Sequence, residues 1–300
     1  MNFHPDRRDR HGRTVAEGLL DDGRYRPQSE TGISNGGRSA VPGGHRTRWE
    51  TDLFADVYED SSDPRPVYGA LDLTSDVHGG SPRFGSSFVV LDPECFDRAT
   101  FCVGDSHVGP TDIGTIDEFT SILPGLVEVC ASGDGFGRGL TPERLLDLVE
   151  SGTDRPSASR DLDHYVEAQV HGTVDLARDV AAIVVDPSFV GSRVEADLRV
   201  ASERFGFGLV WHEGSEVGPA EIPDHFRGPD IADLARRIVR DDGVVDAATI
   251  GRALEAFPFT PPKPAGDPES SHLQQYKKLW HCCLALGGPA AFDATLDRAR

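Results

Sequence analysis

Three polar residues alternate along one strand-like segment near the middle of the chain. In the run YVEAQVHGTVDL (165–176), a period of two places Glu167, Gln169 and His171 on one face. The intervening residues are valine and alanine, so the opposite face is apolar. A carboxylate beside a carboxamide on a rigid strand can orient a substrate hydroxyl or stabilise a developing cation. The alternative is an exposed edge whose polar residues are only solvated. A functional site would require further polar residues close to this face.

Candidate partners occur at strand ends or beside glycine, where active-site groups often lie. They are His4, Asp6, Arg7, Tyr68, Ser86, Ser87, Asp105 and Ser106. Some of them have a structural alternative: a terminal surface residue for His4, a packed sheet aromatic for Tyr68 and a solvated strand start for Ser86 and Ser87.

A metal site is the competing hypothesis, because imidazole and carboxylate groups are common zinc ligands. The residues that could converge are His4, Asp6, His107, His164, His171, His212 and His225. Such a site would activate water for hydrolysis. The sequence contains no HExxH motif, and scattered surface or core histidines are the alternative.

Two nucleotide-binding motifs are excluded. The glycines at 133, 135, 137 and 139 do not form GxGxxG, because position 138 is arginine. No GxxxxGK[ST] motif occurs, and lysine is found only at 263, 277 and 278. The five cysteines include no CxxC pair, which indicates reduced, structural thiols rather than a disulfide framework.

The composition favours a folded, acidic protein. The 300 residues carry a net charge of −20, which argues against binding nucleic acid through its phosphates. No run approaches the roughly 18 apolar residues of a membrane helix, and the N-terminus lacks the apolar core of a signal peptide. We therefore expect no membrane partner, and a cytoplasmic location or export without a signal peptide.

The pattern of elements predicts an α+β fold with a mixed or antiparallel sheet. Short β-type runs follow one another between 67 and 103, and two more lie in 164–176 and 179–189. Helices are expected at 15–20, 116–129, 142–149, 192–205, 231–241, 246–256 and 273–286, with a strand in GLVWHEG (208–214). Turn and loop signals lie at Asn35–Gly37, 133–139 and 151–163.

These elements suggest a division of the chain into four parts. The predicted parts are a catalytic α+β domain at 1–190, a helical elaboration at 191–258, a proline-rich linker at 259–271 and a C-terminal helix at 272–300.

A succession of motifs resembles a bacterial family known only as a domain of unknown function. The motifs are NFHPDR (2–7), DGRYRPQSETGISNGG (22–37), RPVYGALDL (65–73), RFGSSFVVL (83–91), ATFCVGDS (99–106) and YVEAQVHGTVDL (165–176). This resemblance covers roughly Asn2 to Arg227.

The order of these strands also resembles, more weakly, bacterial ADP-ribosyltransferase toxin domains. That resemblance implies a split β-sheet that binds NAD, with Glu167 as the catalytic carboxylate, Tyr68 stacking on nicotinamide and His4 on the first strand. A second version of the site would use Arg7 with Ser86 and Ser87. The family's usual ExE or QxE order is reversed here, so catalysis from Gln169 would favour NAD hydrolysis over transfer.

The resemblance therefore implies an NAD-using enzyme, toxin or effector that transfers ADP-ribose to an acceptor, such as a protein, or hydrolyses NAD. His4, Arg7, Ser86, Ser87 and His171 would contact NAD, and no metal is expected. Arginines of the first fifty residues, Arg46 among them, would form a local positive pocket for the dinucleotide. A metal-dependent hydrolase and a non-catalytic binding module are the alternatives.

Overall fold

A computed structural model describes residues 1–33, 44–58, 62–73, 75–110, 112–131, 141–151, 162–257 and 271–290. Four features predicted from the sequence lie wholly or largely outside these ranges. They are the turn at Asn35–Gly37, the glycine-rich connector at 133–139, the polar loop at 151–163 and the proline-rich linker at 259–271.

The described strands form two open sheets and a short ribbon. The strands are β1 (Asn2–Phe3), β2 (Arg24–Tyr25), β3 (Val67–Leu71), β4 (Ser87–Leu91), β5 (Ala99–Val103), β6 (Val166–Val170), β7 (Val174–Asp175), β8 (Val180–Val185) and β9 (Gly208–Trp211). The larger sheet has the order β1-β4-β8-β9, with β8 and β9 parallel and the other pairs antiparallel. The smaller sheet, β3-β6-β5, is antiparallel, and β2 pairs with β7.

Helices surround these sheets. They are α1 (Val15–Asp22), α2 (Gln28–Thr31), α3 (His45–Phe54), α4 (Leu123–Ala131), α5 (Pro142–Ser151), α6 (Leu176–Asp179), α7 (Arg193–Phe205), α8 (Ile231–Ile238), α9 (Ala247–Glu255) and α10 (Ser271–Leu286). The combination of helices with a mixed and an antiparallel sheet confirms the coarse fold class predicted from the sequence.

Local sequence explains where several helices begin. At α1, the Thr14 hydroxyl accepts a hydrogen bond from the Glu17 backbone N–H, and the Glu17 carboxylate accepts one from the Thr14 N–H. This reciprocal capping satisfies two donors that a helix start leaves unpaired. At α4, the predicted helix at 116–129 begins later than expected, at Leu123. Pro124 explains the difference, because proline fits the first turn of a helix and breaks its interior.

The larger sheet and the helices around it bury the main apolar core. Phe3, Ile183 and Trp211 from three of its strands are almost fully buried. Helix α7 packs against α1, and α10 packs against α8, α9 and the 3-10 turn at Pro82–Phe84. Because β9 pairs with β8, the larger sheet continues past residue 190, where the sequence suggested a division. The four-part division itself stays a prediction.

The two sheets approach each other at their edges, where β1 faces β3. A Cβ atom built on Gly69 in β3 would lie 2.8 Å from the Cγ atom of Met1. The absence of a side chain at position 69 therefore lets the two edge strands come together.

Two further predictions concern the chain as a whole. In the described ranges, no helix is both long enough and apolar enough to cross a lipid bilayer. All five cysteines are free thiols and all are buried, which fits the structural role expected for them.

Candidate functional site

A cleft with a volume of about 400 Å³ lies where the edge strands β1 and β3 meet. This volume is within the range of small-molecule and cofactor sites. Its wall is formed by the end of β1, by β3, by Glu167 of β6 and by residues of α1, α3 and α10. Elements distant in sequence therefore build one concave surface.

The cleft is richer in positive than in negative side chains, although the chain as a whole carries −20. Four carboxylates line it, at Asp9, Asp22, Asp105 and Glu167. Six cationic side chains line it, at Arg13, Arg24, Arg26, Arg46, Arg83 and Lys277. The five arginines are ion-paired with neighbouring carboxylates, so an anionic ligand would share these guanidinium groups with Asp9, Asp22, Glu30, Glu50 and Asp163.

Glu167 lies on the cleft side of the smaller sheet. The register pairs Glu167 with Ala70 on β3 and with Cys102 on β5, so these residues share one face. The alternation predicted for this strand is confirmed, because its valines and alanine face the other way. Glu167 is buried, and this burial raises the pKa of its carboxyl group to about 7.

A chain of hydrogen bonds runs behind Glu167 through the polar face of the same sheet. Gln169 donates from Nε2 to Glu167 Oε1 at 2.8 Å, and the Thr100 hydroxyl donates to Gln169 Oε1 at 2.8 Å. Because Thr100 has only one proton to donate, His171 Nε2, 3.0 Å away, must donate to Thr100. His171 Nδ1 then accepts from the Tyr58 hydroxyl at 2.5 Å. The direction of every bond in this chain is therefore fixed.

Tyr68 on β3 is oriented by helix α3. Its hydroxyl donates to Glu50 Oε1 at 3.0 Å, and the Arg46 guanidinium lies 4.5 Å from the centre of its ring. Arg46 also lies 4.7 Å from the ring centre of Trp49. Arg65 Nη1 holds the other Glu50 oxygen at 2.6 Å. Tyr68 thus presents a fixed aromatic face that already accepts a planar cation.

His4 follows β1 and lines the same cleft. Its ring meets the Trp280 ring edge-on, with centroids 5.7 Å apart. Burial lowers the pKa of His4 well below its usual value, and the positive charge of Arg7 acts in the same direction. The imidazole is therefore neutral near pH 7 and can both donate and accept a hydrogen bond.

An aspartate and a histidine form a close pair just after β5. Asp105 Oδ1 lies 2.7 Å from His107 Nδ1 and also accepts a hydrogen bond from the His107 backbone N–H at 3.2 Å. Both residues line the cleft and are roughly one-third exposed. The ring of Trp49 lies edge-on to His107, with centroids 6.2 Å apart.

Several predicted site residues lie away from the cleft lining. The charge of Arg7 acts on the neighbouring Asp6 carboxylate, and Arg7 does not line the cleft. Ser86 and Ser87 are buried in the larger sheet, where the Ser86 carbonyl accepts from His212 and the Ser87 hydroxyl accepts from the Asp186 N–H. Gln169 and His171 belong to the hydrogen-bond chain behind Glu167 and are not part of the lining.

The sequence of this chain matches a known protein family. Residues 1–285 match the model of the family described as "Protein of unknown function (DUF3626)". The chain belongs to the DUF3626 family. The resemblance to a family of unknown function is thereby confirmed, and the match extends beyond Arg227, where the predicted resemblance ended.

The DUF3626 chain is also similar to a bacteriophage protein. It is 27% identical over 175 residues to the "Gene 2 protein" of Mycobacterium phage D29, a match that covers 55% of this chain. The match spans 59% of the length of the phage protein. Neither name specifies a reaction or a ligand, so the resemblance to ADP-ribosyltransferases stays a prediction.

The histidines and aspartates considered as metal ligands do not cluster. Among the residues that the structure describes, no group of three or more His, Cys, Asp or Glu side chains is placed to hold a metal ion. His4 packs on Trp280, His171 joins the hydrogen-bond chain and His107 pairs with Asp105 alone.

Sequence reasoning missed several residues of the DUF3626 cleft. Trp49 and Glu50 were not considered, although Arg46, Trp49 and Glu50 have the i, i+3, i+4 spacing of one helix face. Arg83 and the hydrogen-bonding residues Tyr58 and Thr100 were also overlooked. Their roles depend on the pairing of strands and helices that no local pattern specifies.

Proposed function

We propose that this DUF3626 protein is an NAD-using enzyme of the ADP-ribosyltransferase type. It would break the bond between nicotinamide and ribose and transfer ADP-ribose to an acceptor or to water. The observation that carries the proposal is that His4, Tyr68 and Glu167, from three separate segments, line one cleft. The two sheets whose edges flank this cleft favour the split-sheet form of fold that the resemblance implies.

Glu167 would supply the main electrostatic contribution. Cleavage of the nicotinamide–ribose bond builds positive charge on the ribose, and a fixed carboxylate stabilises that charge more in the transition state than in the ground state. Burial of Glu167 strengthens the interaction, because water screens it less. The hydrogen bond from Gln169 holds the carboxylate in one orientation.

Tyr68 would bind the nicotinamide ring. The nicotinamide of NAD is a planar cation, and the Arg46 guanidinium 4.5 Å from the centre of the Tyr68 ring supports cation binding at this ring, with nicotinamide taking the place of Arg46. The attraction is lost when bond cleavage neutralises the ring, which favours release of nicotinamide. His4, neutral and able to donate or accept, would position the ribose hydroxyls.

The charge of the cleft fits the remainder of the ligand. A dinucleotide carries two phosphates, and arginine binds phosphate oxygens through paired N–H donors. Arg13, Arg24 and Arg26 line the cleft near α1 and β2, and Arg83 and Lys277 line it near α10. These observations support the positive pocket expected from the N-terminal arginines, with Arg46 in it and Arg7 outside it.

The arrangement favours the His-Tyr-Glu version of the site over the Arg-Ser-Glu version. Ser86 and Ser87 are both buried, with the Ser87 hydroxyl accepting from the Asp186 N–H and the Ser86 carbonyl accepting from His212, and Arg7 lies beside Asp6. Neither serine nor Arg7 lines the cleft. The Arg-Ser-Glu version would therefore require these residues to leave the positions they occupy.

The proposal is tested by measuring release of nicotinamide from NAD by the purified protein. We expect release by the wild type and a loss of roughly 100-fold or more in Glu167→Gln, which keeps the shape of the side chain and removes its charge. Asp186→Asn is the matched control, since it makes the same chemical change in another buried carboxyl group that does not line the cleft. We expect this control to retain wild-type release.

The other outcomes point to the alternatives. Release that a chelator abolishes would favour the metal-dependent hydrolase. NAD binding without release, with or without cell lysate as a source of acceptor, would favour the binding module. Equal release by the wild type and Glu167→Gln would contradict the role proposed for Glu167.

A further inference from the structure

The pair formed by Asp105 and His107 has the geometry of an oriented general base. Asp105 Oδ1 lies 2.7 Å from His107 Nδ1, so this nitrogen carries the proton and donates it to the carboxylate. In its neutral form the imidazole then has the tautomer whose Nε2 carries a free electron pair. Among the described residues, that second nitrogen makes no hydrogen bond, and the side chain lines the cleft.

The backbone fixes this pair at the end of strand β5. Gly104 adopts a φ of +80°, a left-handed conformation that glycine allows without strain, and turns the chain away from the strand. The 3-10 turn at Ser106–Val108 follows, with Asp105 accepting from the His107 N–H at 3.2 Å. Asp105 therefore holds both the backbone and the ring of His107.

The same turn lies next to Glu167. In the β5–β6 register, Cys102 is opposite Glu167 and Val103 is opposite Val166, and the Gly104 N–H then donates to the Tyr165 carbonyl at 2.8 Å. The Asp105 charge is close enough to contribute to the raised pKa of Glu167. The pair and Glu167 thus occupy the same end of the cleft.

We propose that His107, oriented by Asp105, is the general base that activates the acceptor. This inference rests on the proposed function and adds a second catalytic group to it. Glu167 stabilises the positive ribose, and His107 acts on the nucleophile that captures it.

The bond between the nicotinamide nitrogen and ribose C1′ breaks, and its electron pair goes to the nicotinamide nitrogen, which becomes neutral. An oxygen of the acceptor, either water or a hydroxyl group, forms a new bond to C1′. The acceptor proton goes to His107 Nε2 and then to solvent. No oxidant, reductant or metal is needed.

A purely structural role is the competing explanation, because Asp105 also caps the turn at Ser106–Val108, which contains His107. An anionic nucleophile separates the two explanations. Azide has no proton to lose, so it can capture the ribose without a base. It should therefore rescue a variant that lacks only the base and should not rescue a variant whose cleft is distorted.

The test compares NAD consumption by the full-length wild type, His107→Ala, Asp105→Asn and Glu167→Gln, with and without sodium azide. We expect His107→Ala to lose roughly 100-fold in hydrolysis. Azide should restore its NAD consumption and yield ADP-ribosyl azide, detected by mass spectrometry. Asp105→Asn, which keeps an oxygen acceptor for Nδ1–H but loses the charge, should show a smaller loss. His225→Ala, an exposed histidine outside the cleft lining, is the matched control and should equal the wild type.

Each outcome separates the two proposals. If the wild type consumes no NAD, the proposed function and this inference fall together. If the wild type consumes NAD and His107→Ala matches it, only the inference is overturned. A slow His107→Ala that azide does not rescue also overturns it and leaves a structural role. Azide should not rescue Glu167→Gln, because the ribose cation itself is then unsupported.

Discussion

Two carboxyl groups in this molecule share nearly the same ionisation behaviour in different surroundings. Burial raises the pKa of both Glu167 and Asp186 to about 7. Glu167 lies in the smaller sheet and opens onto the cleft, whereas Asp186 follows β8 of the larger sheet and does not line the cleft. A raised pKa alone therefore does not distinguish a reactive group from a structural one.

The hydrogen bonds of the two groups explain the difference. Asp186 accepts from the Ser188 N–H at 2.9 Å and so begins the 3-10 turn at Pro187–Phe189. Its own N–H donates to the Ser87 hydroxyl, which ties β8 to β4. Glu167 instead accepts from the Gln169 side chain and caps no turn. Asp186 is fixed to the backbone, and Glu167 is oriented by side chains towards a space that a ligand can enter.

The largest effect on stability is expected at Gly85, because the chain on either side of its contact carries His4 at the cleft and Ser86 in contact with His212. The backbone of Phe3 lies where a Cβ atom at Gly85 would stand. Gly85→Ala would push β1 away from β4, which would displace His4 at the cleft and the Ser86 carbonyl that His212 contacts. We expect a loss of roughly 3 kcal/mol or more in the free energy of unfolding, measured by urea denaturation.

Gly18→Ala is the control for this substitution. Gly18 lies within α1, and the nearest atom to a Cβ there is 3.9 Å away. Alanine in a helix interior is more favourable than glycine by about 1 kcal/mol, so this variant should be as stable as the wild type or more stable. Equal stability of Gly85→Ala and Gly18→Ala would contradict the close contact of β1 with the turn before β4.

The second effect concerns the stability contributed by Asp186. Its pKa is about 7 in the folded state, against 3.8 ordinarily, with Asp6 and Asp246 adding to the effect of burial. A carboxyl group whose pKa is higher in the folded than in the unfolded state stabilises the folded state while it is protonated. This contribution is complete below about pH 4 and is lost as the pH rises through 7. At 1.36 kcal/mol per pKa unit, the loss is at most about 4 kcal/mol.

Asp186→Asn removes this pH dependence, because the amide stays neutral and can still accept from the Ser188 N–H. We expect the variant to gain stability over the wild type as the pH rises from 4 to 8, measured by urea denaturation at each pH. A constant difference across this range would show that Asp186 does not titrate as its burial implies. Nicotinamide release by Asp186→Asn should equal that of the wild type, which would show that Asp186, unlike Glu167, has no role in the reaction.

Sequence alone predicted the parts of this fold that local patterns control. Strands β3 to β6 and β8 have short β-type runs between turn signals, and α7 has a serine cap and a closing glycine. A first strand next to His4 was implied by the resemblance but not by a local pattern, because β1 is two residues long and its partner β4 lies more than eighty residues away. Helix α3 was missed because its charged sequence has no apolar stripe.

In the candidate site, too, the sequence predicted what local patterns control and missed what long-range packing controls. Alternation along β6 placed Glu167 and Gln169 on one face, since strand periodicity is a local property. The position of His107 beside Glu167 depends on the register of β5 with β6, and that of Arg46 over Tyr68 depends on the packing of α3. Such long-range contacts are set by tertiary packing and leave no spacing signal in the sequence.

The smallest effect is expected from removing the hydrogen bond that Gln169 donates to Glu167. Asp186 accepts from a backbone N–H instead. Burial and the charge of Asp105 oppose ionisation of Glu167 and raise its pKa, whereas Ser106, the bond from Gln169 and the charge of Arg46 favour the ionised form. Because the ionised carboxylate is the form that stabilises the ribose cation, nicotinamide release by the wild type should rise with pH, reach half of its maximum near pH 7 and level off above about pH 8.

Gln169→Leu removes this bond at nearly constant volume, so the pKa of Glu167 should rise further above 7. We expect release near pH 7 to fall by roughly fivefold if the pKa rises by about one unit, because the ionised fraction falls from about one half to about one eleventh. Release should recover towards the wild-type rate at pH 9, where Glu167 is ionised in both proteins. Thr100→Val, which leaves the bond to Glu167 intact and removes the next one, should shift the profile less. A loss in Gln169→Leu that is equal at all pH values would mean that Gln169 positions Glu167 without controlling its charge.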